Sequence, residues 1–102
     1  MKKPELWIGL VELRPLKRGE GSPAITNILT WASDSEGFRT KADTIAAELE
    51  MYVIGIEGEE PLAARRERSE LTEEVKDMLS RAFSNPNAIV YGTFHEFPDD
   101  SN

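Results

Sequence analysis

Proton-transfer chemistry needs a base, a group that orients it and a cavity for the substrate. The chain offers one such base, His95, its only histidine, set between Phe94 and Glu96 and four residues after Tyr91. Glu96 and Asp99 are the carboxylates near it in sequence. Adjacent strand residues point to opposite faces, so Glu96 is poorly placed to orient its neighbour. The plainer reading of His95 is a half-exposed strand residue. Arg65, Arg66 and Arg68 form the compact basic patch of the chain. On a short helix they would grip a carboxylate or phosphate, including one on a partner. The nearby acids Glu59, Glu60, Glu67 and Glu70 predict instead that these arginines make internal ion pairs on a solvated face.

Trp7 and Trp31 lie in two runs expected to pair as strands. With Tyr91 and His95 they would line a small-ligand cleft between sheet and helices, and core packing is the competing role. Gly9, Gly55 and Gly92, one inside each of three strands, would leave room for such a ligand or mark bulges.

Other chemistries lack their residues. There is no cysteine, so thiolate metal sites and disulfides are excluded. One histidine among scattered carboxylates lacks zinc spacing, and Glu57, Glu59 and Glu60 are too sparse for a calcium loop. Gly19-Glu20-Gly21 joins two strands and lacks the lysine and hydroxyl of a phosphate loop. No serine sits in a Gly-x-Ser-x-Gly elbow. The expectation is no metal and no cofactor, and an enzyme ranks third behind an interaction domain and a ligand-binding domain, with His95 as its acid-base group.

What must position these residues is one domain over 1–102. At 102 residues the chain can bury a single core. Hydrophobic residues at 39% and charged residues at 30% place it among ordinary folded chains, not disordered ones. Nineteen acidic against twelve basic residues give a formal charge of −7. That charge repels nucleic acid and anionic lipid, and it favours basic or neutral partners. The apolar run behind Met1-Lys2-Lys3 is short and interrupted by Glu12 and Arg14, so it reads as a strand and not as a signal peptide or membrane span. A cytoplasmic location is expected.

Leu6 to Leu13 is apolar on both alternating faces: Leu6, Ile8 and Leu10 on one, Trp7, Val11 and Leu13 on the other. A charged, turn-rich loop follows, and then a second strand from Ala24 to Trp31 that should close an antiparallel hairpin. Its Ile25, Leu29 and Trp31 read as the core-directed face. Ser33 to Glu36 has the spacing of a capping box, and Phe38, Ala42, Ile45, Ala46 and Leu49 form one helical stripe behind it. The short link to Tyr52-Val53-Ile54-Gly55-Ile56 suits a crossover returning parallel to the second strand. Residues 57–70 read as a short helix behind Pro61 or as a flexible loop. Thr72-Glu73-Glu74 caps a further helix with Leu71, Val75, Met78, Leu79, Ala82 and Phe83 on its apolar face. A last strand from Ala88 to Phe97 carries Ile89, Tyr91 and Phe97 on one face, Val90 and Phe94 on the other. Residues 98–102 read as a frayed tail.

The order β-β-α-β-α-β predicts an α+β fold: a mixed four-stranded sheet with both helices on one face, a rearranged ferredoxin-like layer sandwich. Two helices on one face leave the other bare, with Val11 and Val90 as its apolar residues. A homodimer or a protein partner would cover it. The leading functional expectation is therefore an acidic, non-enzymatic protein-interaction domain of immunity or adaptor type. The alternative is a small-ligand sensing domain.

Overall fold

β1 (Glu5–Pro15) is buried on both sides over its first half, where helices lie on both faces of the sheet, and on one side only towards Arg14. The computed structural model describes residues 3–17 and 21–96. The Gly19-Glu20 turn, Phe97, Asp99 and the tail at 98–102 lie outside the described residues.

β1 pairs antiparallel with β2 (Ala24–Ala32), from Glu5 opposite Ala32 to Leu13 opposite Ala24. The hairpin matches expectation. α1 (Ser35–Glu48) follows, and its cap is Asp34 rather than Ser33: the Asp34 carboxylate accepts from the Gly37 amide at 2.7 Å. β3 (Met51–Pro61) then lands on the far side of β1. It runs parallel to β2, as the short crossover requires, but β1 stands between them. Every neighbouring pair is therefore antiparallel, which corrects the expected mixed sheet.

α2 (Leu62–Arg68) starts directly after Pro61, resolving the segment that reads from sequence as helix or loop. α3 (Glu73–Ser84) opens with the Thr72 hydroxyl accepting from the Val75 amide at 3.2 Å. The last strand is broken into β4 (Ile89–Tyr91) and β5 (His95–Glu96), both paired with β2. The break turns Phe94 onto the same side as Tyr91, with ring centroids 5.3 Å apart. The main order is β3-β1-β2-β4.

The helices do not share a face. α1 covers Trp7, Val11 and Leu13 of β1 together with Ala32 and Ile28 of β2 and Ile89 of β4. α2 and α3 cover Leu6, Ile8, Leu29 and Val90 on the opposite side. Three helices in two layers thus replace two helices in one. Ala24, Thr26, Ile28, Thr30 and Ala32, expected to be the lesser face of β2, are all buried. Val11 and Val90 are buried too, on opposite faces and each against helix residues, so neither is available to a partner.

β3 spends eleven residues, 51–61, against nine of β1, 7–15. The two extra residues are two bulges. One falls at Ile54, between the Leu13–Val53 and Glu12–Gly55 pairs. The other falls at Gly58 and Glu59, where Gly58 supplies the φ of +64° that the bend needs. Opposite that second bulge, a Cβ on Gly9 would come within 2.9 Å of the Phe38 ring, so this glycine lets α1 seat close to the sheet.

Candidate functional site

The residues expected to form one ligand cleft are separated by the sheet. Trp7 and Tyr91 lie on the α1 side, in different strands. Trp31 packs on the α3 side, donating its indole N–H to the Ala82 carbonyl at 3.1 Å and meeting Phe83 edge-on. His95 sits opposite Ile25 at the far edge of the sheet and is exposed. No single cleft gathers the four, which corrects that expectation. Apolar clefts exist elsewhere. The one of about 400 Å³ is lined by Pro15, Leu16, Leu49, Met51 and Phe94. Among the described residues, no group of three metal-ligating side chains converges.

Two of the three arginines, Arg65 and Arg68, make the internal ion pairs that the neighbouring acids predict. Glu60, at the end of β3, takes the Arg65 Nε at 2.9 Å and a two-pronged contact from Arg68, whose second prong is 2.8 Å long. Arg65 also donates to the Gly58 carbonyl at 3.1 Å. These bonds, Arg68 first and then Arg65, hold the Glu60 carboxyl down to about 2. Arg66 stays exposed on α2. Next to Glu60, Glu59 points to the other face and pairs with Arg39 of α1 at 3.0 Å. Two consecutive acids therefore tie both helical layers to the same strand. This cluster is spent on structure, and Arg65 is not free to grip a ligand.

A different surface emerges from the register. Residues directly opposite one another in a sheet share a face. On the face that α2 and α3 cover, Leu6, Ile8 and Leu29 are buried at one end. Towards the other end the same face continues through Leu10, Glu12 and Arg14 of β1, Asn27 and Ile25 of β2, and His95 of β5. From β3 it takes Glu57, Gly55 and Tyr52, and Ile54, the extra residue of the first bulge, follows α1-facing Val53 and packs in neither helical layer. No helix among the described residues covers this half. Leu10 and Ile25 are half-buried there, while Ile54 is 37% exposed and Tyr52 44%. Leu10, Glu12, Ile25, Gly55 and Glu57 enclose a notch of about 60 Å³. Its floor is Gly55, where an added Cβ would meet nothing within 4 Å. The gap is thus not required by packing.

Sequence reasoning missed this surface, although a signal was present. Tyr52 to Ile56 is apolar at every position except the glycine, more than the α1 side uses, since only Met51, Val53 and Ile56 pack there. The architecture is that of a small α+β domain with an antiparallel sheet between helical layers. No family model, no curated protein and no solved structure matches this chain.

Proposed function

We propose that the chain is a non-enzymatic, cytoplasmic protein-interaction domain of the immunity or adaptor kind, and that its docking surface is the uncovered half of the sheet. The observation that carries this reading is the position of Tyr52 and Ile54. They stand in solvent on the half that also holds half-buried Leu10 and Ile25, with Glu12 and Gly55 between, on a face whose other half is covered by α2 and α3. Covering Leu10, Ile25, Tyr52 and Ile54 would gain roughly 25 cal/mol per Å² of apolar surface removed from water. Acid-base chemistry has little support: His95 lies exposed, and the strongest charge cluster is consumed by internal pairing. No helix among the described residues is long and apolar enough to cross a membrane.

The test is the native mass of the tagged chain drawn from its own cell lysate, compared with an Ile54→Glu variant. The expected result is a complex with a different chain for the wild type and an 11.5 kDa monomer for the variant. A variant that keeps the wild-type company overturns the reading, as does a wild type that travels alone. Twice the chain mass with nothing else attached would make the partner a second copy.

A further inference from the structure

The uncovered half-face has a width, a charge and a broken edge, and together these specify what covers it. Building on the interaction reading, we infer that its occupant is an amphipathic α-helix of another protein, with lysine or arginine rimming its apolar side.

The width comes from the strand order. Tyr52 and Ile54 lie on β3, Leu10 on the adjacent β1, and Ile25 on β2 beyond it. Two inter-strand spacings are roughly 10 Å. An α-helix with its side chains is about 10–12 Å across. One helix therefore covers these apolar residues, with His95 of β5 at its rim, in the same layer that α2 and α3 occupy over the rest of the face.

The edge excludes the other common mode, in which a partner adds a strand to β3. Continuous pairing needs an unbroken row of outward amides and carbonyls, and β3 is interrupted by bulges at Ile54 and at Gly58. The occupant rests on the face and not along the edge.

The charge comes from the notch. Glu12 and Glu57 line it together with Leu10, Ile25 and Gly55, and neither carboxylate is paired with a cation among the described residues. Arg14 is the counterweight, one step further along the face, opposite exposed Tyr52. Two carboxylates against one guanidinium leave the notch acidic, and the chain as a whole carries −7. A second copy would bring another −7 and the same surplus of carboxylates, so it complements this face less well than a cationic helix does. The space above Gly55 admits the stem of a lysine or arginine whose head reaches these carboxylates.

The experiment uses the full chain as bait in its own cell lysate, with a carbodiimide that joins a carboxylate to a lysine amine only where they touch. Peptide mass spectrometry then locates the link. The expected result is a bond from Glu12 or Glu57 to a lysine in a segment of another protein with helical apolar spacing. Capture should fall at least tenfold both in Gly55→Val, which fills the notch, and in the Glu12→Gln/Glu57→Gln double variant. Melting temperatures of both variants check that the fold is intact, and the single Glu57→Gln, at an exposed position, is the fallback. Links to a second copy of this chain overturn the inference, as do links to a segment without helical apolar spacing or capture unchanged in both variants. If Ile54→Glu still abolishes capture in those cases, the interaction reading survives. If Ile54→Glu also leaves capture intact, both fall.

Discussion

The two faces of the sheet are built from the same strands yet end in different states. Beneath α1, alternate residues of β1 and β2 are sealed: Val11, Leu13, Thr26, Ile28 and Thr30 have essentially no exposure. On the opposite face, burial fades along a single strand, from Leu6 and Ile8 through half-buried Leu10 and Glu12 to exposed Arg14. The contrast follows from chain connectivity. α1 is the crossover between β2 and β3, so it must pass over the intervening β1. α2 and α3 follow β3 at its Pro61 end, which lies opposite Trp7, and they stay near that end. An element that crosses a sheet covers it, and one that turns back at its corner covers only the corner.

The sharpest way to break this comparison is to place the same kind of insult on each side. Val11→Lys puts an ammonium into the sealed α1 layer and should cost about 4 kcal/mol or more, enough to unfold much of the population. Ile54→Glu, on the open half, should cost under about 1 kcal/mol in the same urea titration. Equal losses would mean that the open half is packed after all.

A smaller effect concerns the strand end where both layers are fastened. The Glu60 carboxyl is held at about 2 by Arg68 and Arg65, below an ordinary value of 4.5. A depressed carboxyl contributes stability that is present above the unfolded value and lost as pH falls towards the folded one. Wild-type stability should therefore decline from about pH 4.5 towards pH 2. Glu60→Gln should remove that contribution at neutral pH and flatten the decline. A pH series of denaturation midpoints with parallel slopes for the two proteins would contradict the assignment.

The smallest contrast is between the two tryptophans, one per face. Trp31 has an acceptor for its indole N–H, whereas the Trp7 Nε1 is buried without one. Trp31→Phe removes the indole bond to the Ala82 carbonyl, which keeps the one from the Asn85 amide, and should cost about 1 kcal/mol. Trp7→Phe removes an unsatisfied donor along with some apolar area and should cost less. Reversal of that order in matched thermal melts would show that Trp7 has a bonding partner in solution.

Much of the local structure was legible in the residues. The β1–β2 hairpin, the Phe38-Ala42-Ala46 stripe and the Thr72 cap all follow from periodicity and side-chain chemistry within a few positions. Both-sided apolarity of β1 was legible too, but it has two physical solutions, a partner on one face or helices on both. Choosing between them depends on which edge receives β3, and that choice is made by packing across the whole sheet. The same limit explains the candidate site. Trp7, Trp31, Tyr91 and His95 look alike in the sequence, and only strand order and register send them to different sides. Ile54 was hidden for a related reason: the extra residue of a bulge breaks the alternation by which a strand's faces are read.

The bulges of β3 also bear on whether its outer edge can template fibres. Tyr52-Val53-Ile54-Gly55-Ile56 is rich in β-branched and aromatic residues and lies on an outer strand, the composition and position from which stacked, in-register assemblies grow. Such stacking requires each added strand to match the one before it residue for residue. A strand that carries two surplus residues, one of them held at a positive φ, offers no regular template to copy. An apolar outer strand interrupted in this way is a poor seed for stacking copies of itself.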